Sequence, residues 1–215
     1  MVRLRFSTAD FNESEFVLEK YRAATLSSRP DFPLEMKARL HLNGQERLVI
    51  SHTAVVEDDL PLYILTKVHT PESAWNYSLH RTRDGDNGSL DMETSLAQKG
   101  FTFIDAHMNA LVGYSAMGYY FRDISFTIKA FDHLIEGTIH YGQIDPTARD
   151  YARSFNSNSE ILIMELPGRK VAGKLILAPT PQGDLLDYYI RFADGHQVHV
   201  SEYLPFLNQL LNMKL

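Results

Sequence analysis

Asn43 and Gly44 lie between two runs, residues 36–42 and 46–56, in which apolar and polar side chains alternate. Alternation with a period of two is typical of strands that bury one face. An Asn-Gly pair readily adopts the positive φ angles that a tight two-residue turn needs. These residues therefore predict a β-hairpin, and any fold for the chain must contain antiparallel sheet around it.

Other short runs with strand character predict a sheet that extends beyond this hairpin. Strands are predicted at residues 2–6, 62–68, 75–80 and 171–178. We expect residues 2–6, which are short and alternate, to form an edge strand. A second hairpin is predicted near the end of the chain, where Asp194-Gly195 separates residues 186–193 from residues 196–200.

In several segments the apolar residues recur at helical spacing instead. Phe16, Val17, Tyr21 and Ala24 predict a helix over about residues 12–26. Asp145 followed by proline at the first helical position predicts another helix, to about residue 155. Further helices are predicted for residues 90–99 and 203–213. Residues 106–120 fit a helix that leads into an extended segment. Residues 123–133 and 134–141 fit either a pair of helices or a hairpin.

The order of these elements predicts an α+β fold. The antiparallel sheet occupies mainly the N-terminal half, the middle of the chain is helical, and a hairpin plus a helix close the C-terminal part. No repeat or low-complexity linker divides the chain. We therefore expect a single domain over residues 1–215, with a subdivision near residues 145–170 as the alternative.

Composition excludes several classes of protein. The chain has no cysteine, which excludes disulfides, thiolate metal sites and cysteine nucleophiles. The net charge of -6 disfavours a uniformly basic nucleic-acid-binding surface. The first residues lack the apolar run of a signal peptide, and no run approaches the roughly 18 apolar residues of a membrane span. We expect a soluble chain without a membrane partner.

Side chains that bind metals are scattered along the sequence. His196 and His199 lie three residues apart on a predicted strand and so point to opposite faces. Asp105 and His107 share one face, but the sequence shows no third ligand beside them, and zinc sites need three or four. No glycine-rich phosphate loop is present. We therefore expect no metal site and no cofactor.

Aromatic side chains are the more suggestive feature. Trp75 and Tyr77 lie on a predicted strand, and Tyr119 and Tyr120 follow Gly118 in the middle of the chain. Exposed rings of this kind stack on nucleic-acid bases. The alternative is that these rings are ordinary members of a hydrophobic core.

Four segments carry a resemblance to a known family. They are residues 6–22, which begin Phe6-Ser7-Thr8-Ala9, and residues 73–77, 112–123 and 183–211. Together they resemble the ribosome-inactivating proteins, which are ribosomal-RNA N-glycosylases of plants and some bacteria. The resemblance implies that Trp75 or Tyr77, and Tyr119 or Tyr120, hold an adenine between two rings. It also implies ribosomal RNA as the partner and hydrolysis without a cofactor.

Release of adenine needs a carboxylate near the ribose and a cation near the departing base. Glu160 is the candidate carboxylate. The family's arginine three residues after its glutamate is replaced here, because Ile161-Leu162-Ile163 follows Glu160. The candidate cations are therefore Arg149 and Arg153, which lie one turn apart on the preceding predicted helix.

A second class of function fits the same sequence. The negative charge and the altered family motif are typical of a non-enzymatic acidic domain that binds a protein or a small ligand, of the inhibitor or immunity type. A metal-dependent hydrolase built on histidine and aspartate is a third class. Released adenine, with Glu160→Ala as the control, and analysis for bound metal are the measurements that separate these classes.

Overall fold

The computed structural model describes residues 1–7, 13–27, 29–115, 118–181, 183 and 185–204. Most of these residues lie in fourteen β-strands, and the three helical segments have seven residues or fewer. Neighbouring strands in the sequence are hydrogen-bonded neighbours in the sheet. Contacts between Cα atoms divide the chain into two units, Met1–Asn109 and Ala110–Leu215.

The first unit is an antiparallel meander, in which every strand pairs with the next one along the chain. Long strands joined by short turns produce this arrangement without any crossover. The strands are β1 (Val2–Phe6), β2 (Ser14–Leu26), β3 (Arg29–Leu42), β4 (Gln45–Glu57), β5 (Leu60–His69), β6 (Ser73–Asp84), β7 (Asn87–Gln98) and the first part of β8 (Phe101–Ser115).

The second unit contains the rest of β8 and continues the same pattern with helical insertions. Its elements are β9 (Gly118–Ala130), β10 (His133–Ile139), a 3-10 turn (Tyr141–Gln143), α1 (Tyr151–Ser157), β11 (Ser159–Glu165), β12 (Lys170–Pro179), β13 (Leu186–Arg191), β14 (Gln197–His199) and α2 (Val200–Tyr203). Phe155 of α1 packs with Ile135, Ile161, Ile163 and Ile190 of the sheet in one buried apolar cluster. This cluster explains why α1 lies against β11 and β12.

The sheet of the first unit has two chemically different faces. Side chains at paired positions on neighbouring strands lie on the same face. Ile64, Leu79 and Met92 are paired in this way across β5, β6 and β7 on an apolar face. The opposite face, called the polar face below, carries polar side chains at the alternate positions of β5 to β8: Lys67, Asn76, Ser78, His80, Asp91, Glu93, Ser95, Asp105, His107 and Asn109.

Both predicted hairpins are confirmed. Asn43 and Gly44 form the turn between β3 and β4 with φ angles of 50° and 74°. Gly195 has a φ of 89° in the turn between β13 and β14. The strands predicted at residues 2–6, 62–68, 75–80 and 171–178 are also present, as β1, β5, β6 and β12, and β1 is an edge strand.

The predicted α+β class is wrong, because the described residues form a nearly all-antiparallel β structure. The predicted helix over residues 12–26 is replaced by β2. This strand has register shifts between Leu18 and Lys20, between Arg22 and Ala23, and between Ala24 and Leu26. Each shift displaces the apolar alternation, so the pattern imitates helical spacing.

The helical middle is also wrong. Residues 90–98 lie in β7, and Lys99 lies in the turn after it. Residues 106–115 lie in β8 and residues 118–120 begin β9, whereas residues 116 and 117 lie outside the described residues. Residues 123–139 lie in the hairpin of β9 and β10, where Ile124 pairs with Ile139 and Ile128 pairs with Ile135. The β-branched residues of this segment are stiff at χ1 and pack well on a pleated sheet. Ile135 belongs to the buried apolar cluster of the second unit, and Ile128 and Ile139 pack against that cluster, which favours the hairpin over the pair of helices.

The predicted helix from residue 145 begins later than expected. Asp145 accepts hydrogen bonds from the backbone and side chain of Thr147 and so holds a turn. Asp150 is the N-cap of α1, since its carboxylate accepts the backbone N–H of Arg153 at 2.9 Å. The last predicted helix covers residues 203–213, of which residues 205–213 lie outside the described residues. The described helix α2 ends at Tyr203.

Among the described residues, no helix combines the length and the apolar character that crossing a bilayer requires. The single-domain organisation expected from the sequence stays a prediction.

Candidate functional site

Three side chains that bind metals come together on the polar face of the first unit. Asp91 and Glu93 occupy alternate positions on β7, so both project from the same face. His107 lies on the neighbouring strand β8. One potential ligand atom from each of the three lies within 4.8 Å of the others. We call these three residues the Asp91 cluster.

Hydrogen bonds already connect the centre of this cluster. The Nε2 atom of His107 lies 3.0 Å from Oδ2 of Asp91, and Asn109 donates its side-chain N–H to the same oxygen at 3.3 Å. A carboxylate oxygen only accepts, so Nε2 of His107 carries a proton in this arrangement. His80 on β6 is the register partner of Asp91 and adds a second imidazole beside it.

The surroundings of Asp91 keep its carboxyl group ionised. The hydrogen bond from His107 is the main reason that the pKa of Asp91 lies below its ordinary value. Partial burial opposes this effect, and the hydrogen bond from Asn109 and the charges of His107 and His80 lower the pKa further. At neutral pH the cluster therefore presents a negatively charged oxygen ligand.

A polar recess of about 500 Å³ adjoins the cluster. Glu93 and His107 belong both to the recess and to the cluster. Lys67 adds a cationic side chain to its wall, and Asn76 and Ser95 are hydrogen-bonded to each other at 3.3 Å within that wall. A volume of this size is typical of sites for small molecules.

Two carboxylates and one imidazole form a donor set suited to a divalent ion. Zinc and related metals bind imidazole nitrogen and carboxylate oxygen, and three protein ligands leave a position for water or another ligand. Among the described residues, the Asp91 cluster is the set of three metal-binding side chains whose ligand atoms lie this close together.

No family model, curated protein or solved structure matches this chain. The functional argument therefore depends on the geometry of the residues themselves, and membership of the ribosome-inactivating family stays a prediction.

Sequence reasoning placed Asp105 and His107 on one face but did not find their neighbours. Asp91 and Glu93 were missed because a helix was predicted over residues 90–99, and residues two apart on a helix do not face each other. On a strand the same spacing brings Asp91 and Glu93 to one face. The alternation of Leu90, Met92, Thr94 and Leu96 was the available signal for a strand.

Trp75 and Tyr77, the first predicted pair of stacking residues, lie on one face of β6. Their ring centroids are 6.3 Å apart and the rings are inclined by 21°, so they stack on each other. The indole N–H of Trp75 donates to Oγ1 of Thr94 at 3.0 Å. Burial raises the pKa of Tyr77, so its phenol stays neutral.

Tyr119 and Tyr120, the second predicted pair, lie next to each other on β9 in the second unit and therefore face opposite sides. Both are exposed. Tyr119 contacts Phe121 edge to face, with centroids 5.9 Å apart. The ring of Tyr120 covers Gly113, where a Cβ would lie only 2.4 Å from the tyrosine Cζ.

The predicted catalytic residues lie on three neighbouring segments of the second unit. Arg149 is exposed just before α1, and Arg153 is exposed on α1. Glu160 is exposed on β11, opposite Thr138 of β10. Arg153 lines a recess of about 560 Å³ together with Asn156 and Arg191, and the described lining of that recess includes neither Arg149 nor Glu160.

Proposed function

We propose that this protein is a binding domain that holds a divalent metal ion between Asp91, Glu93 and His107. The observation that carries the proposal is the convergence of three potential ligand atoms within 4.8 Å on one exposed sheet face. This assignment develops the ligand-binding class that the sequence offered as the alternative to an N-glycosylase.

The mixed donor set favours a first-row transition ion such as Zn²⁺. Imidazole is a ligand that zinc, copper, nickel and iron share. Calcium and magnesium prefer sets made of oxygen alone, and calcium takes six to eight of them. We therefore expect Zn²⁺ to bind the Asp91 cluster more tightly than Mg²⁺ or Ca²⁺.

Binding of the ion replaces the hydrogen bond between His107 and Asp91. The imidazole must present a lone pair to the metal, so the proton on Nε2 is lost or moves to Nδ1. The carboxylate of Asp91 is already ionised, so it needs no change of charge. Because protons compete with the metal for these ligands, affinity falls as the solution becomes acidic.

The polar recess gives the bound ion a route to a second ligand. Glu93 and His107 line both the cluster and the recess, so an ion held there faces the recess. Lys67 lies in the same wall. A small molecule with an anionic group therefore finds a metal ion and an ammonium group in one site, and both attract it.

Isothermal titration with Zn²⁺, Mg²⁺ and Ca²⁺ tests the proposal. Wild-type protein should bind one Zn²⁺ per chain, and His107→Ala and Asp91→Asn should each weaken binding at least 10-fold, since loss of a mere outer-shell partner of a ligand already weakens binding by about that factor. His140→Ala is the matched control. His140 is 50% exposed and lies 2.7 Å from Asp123, much as His107 is 50% exposed and lies 3.0 Å from Asp91.

The His140→Ala control distinguishes a three-ligand metal site from an ordinary histidine–aspartate pair on the surface. Among the described residues, the pair of His140 and Asp123 has no third metal-binding side chain. Equal loss of Zn²⁺ affinity in His107→Ala and His140→Ala would mean that binding is non-specific. Unchanged affinity in both Asp91→Asn and His107→Ala would rule out the Asp91 cluster.

The N-glycosylase activity implied by the family resemblance stays a separate prediction. It is tested by incubating ribosomes with the protein and measuring released adenine, with Glu160→Ala as the comparison. Adenine release that disappears in Glu160→Ala would support the resemblance. The absence of release by wild-type protein would reject it as an enzymatic activity, and neither result bears on the metal titration.

A further inference from the structure

Three side chains of the second unit form a continuous hydrogen-bonded chain. Asp187 lies on β13, His199 ends β14, and Ser201 lies on α2. The Nε2 atom of His199 is 3.1 Å from Oδ2 of Asp187. The Nδ1 atom of the same ring is 2.5 Å from Oγ of Ser201. A carboxylate, an imidazole and a hydroxyl are thus connected in sequence.

The hydrogen bonds determine the direction of this chain. The backbone N–H of Ser201 donates to Nδ1 of His199 at 3.3 Å, so Nδ1 carries a lone pair. The proton of the neutral ring therefore sits on Nε2 and is donated to Asp187, whose carboxylate only accepts. The hydroxyl of Ser201, at 2.5 Å, is then the nearer of two donors that share the single lone pair of Nδ1. A serine that donates to an imidazole oriented by a carboxylate is an activated nucleophile.

The imidazole and the carboxylate are both held in position. Tyr189 is the register partner of His199 and packs against its ring edge to face, with centroids 5.5 Å apart. Asp187 accepts the backbone N–H of Tyr188 at 2.7 Å through its other oxygen. That hydrogen bond, followed by the one from His199, lowers the pKa of Asp187, so the carboxylate is ionised at neutral pH.

We propose that Ser201, His199 and Asp187 form a nucleophilic site that cleaves small carboxylic esters. All three side chains are partly exposed, so a small ester and water reach them from solvent. The site shares no residue with the Asp91 cluster, and the activity does not depend on a bound metal.

The reaction needs only the ester and water. The oxygen of Ser201 attacks the ester carbonyl carbon and its proton passes to Nδ1 of His199, while Asp187 stabilises the imidazolium that forms. The bond from the carbonyl carbon to the alkoxy oxygen breaks, and His199 gives its proton to the departing alcohol. Water then attacks the acyl-serine with His199 as base. The carboxylic acid leaves and the hydroxyl of Ser201 is restored.

A purely structural role predicts a different outcome. His199 is also the N-cap of α2 through the backbone N–H of Ser201, and a cap affects stability without any chemistry. Covalent acylation of Ser201 separates the two roles, because a capping contact does not make serine reactive.

The experiment treats the full chain with p-nitrophenyl acetate at neutral pH and follows p-nitrophenol release and acetylation of the peptide that contains Ser201. Wild-type protein should acquire the acetyl group on Ser201 and release p-nitrophenol. Ser201→Ala should remove both signals, His199→Ala should reduce the rate at least 100-fold, and Asp187→Asn should reduce it at least 10-fold.

His196→Ala is the matched control, because His196 also contacts an aspartate, Asp194, at 2.6 Å. Its rate should equal that of wild-type protein. A wild-type reaction with neither acetylated Ser201 in a rapidly quenched sample nor p-nitrophenol release above the uncatalysed rate would overturn the proposal, and this result needs no variant to fold. A wild-type rate in Ser201→Ala would overturn it equally.

Discussion

The buried side chain of Arg81 stabilises the connection between β4 and β5 by hydrogen bonds to its backbone carbonyls. Only 2% of its surface is exposed, and it donates to the carbonyl of Pro61 at 3.0 Å and to that of Glu57 at 2.9 Å. Arg81→Ala removes these donors from the β4–β5 connection. We expect the free energy of unfolding, measured in urea, to fall by about 2 kcal/mol.

Arg83 is the matched control on the same strand. Its side chain is 40% exposed and pairs with Asp58 at 3.2 Å, and exposed ion pairs contribute little to stability. Arg83→Ala should change the free energy of unfolding by less than about 0.5 kcal/mol. Equal losses in the two variants would contradict a specific role for the buried guanidinium.

Asp91 contributes a pH dependence to stability. Its pKa in the folded protein is lowered from 3.8, chiefly by the hydrogen bond from His107. A lowered pKa stabilises the folded state above the unfolded value, and that contribution is lost as the pH falls through the folded value. Urea unfolding followed from pH 7 to well below 3.8 should therefore show a smaller acid-side decline in Asp91→Asn than in wild-type protein. Parallel curves would contradict this account.

At the level of elements, the β9–β10 hairpin depends on one glycine. A Cβ at Gly137 would lie 2.5 Å from Cζ of Phe126, its register partner. Gly137→Ala forces the ring to move, and we expect it to lower the free energy of unfolding by about 1–3 kcal/mol. Gly168→Ala is the control, since nothing lies within 4 Å of its Cβ position.

A second substitution tests the cause. Phe126→Leu shortens the side chain over Gly137, so Gly137→Ala should cost less in the Phe126→Leu background than in wild-type protein. The coupling is measured as a double-mutant cycle from thermal or urea unfolding. An identical cost in both backgrounds would show that contact with the ring is not the reason.

Individual elements also show which parts of the fold a local sequence pattern can predict. Asn43-Gly44 and Asp194-Gly195 predict their hairpins because the turn conformation is encoded within two residues. The register shifts of β2 are not encoded locally, and they make a strand resemble a helix. The Asp91 cluster depends on the pairing of β7 with β8, so no single segment of the sequence contains it.

For the molecule as a whole, the two proposed sites should act independently. The Asp91 cluster belongs to the first unit, and the chain of Asp187, His199 and Ser201 belongs to the second. Removal of metal with EDTA should therefore leave acetylation of Ser201 unchanged, and Ser201→Ala should leave Zn²⁺ affinity unchanged. Loss of acetylation on chelation would show that the two activities are coupled.

The meander has a kinetic consequence. Within the described residues, each strand of the sheet pairs with the strand next to it in the sequence, so its pairings join neighbouring segments of the chain. Folding rates rise as contact order falls, because small loops close at little entropic cost. We therefore expect each strand to pair with the strand that precedes it, so that the sheet grows at one edge without waiting for distant parts of the chain.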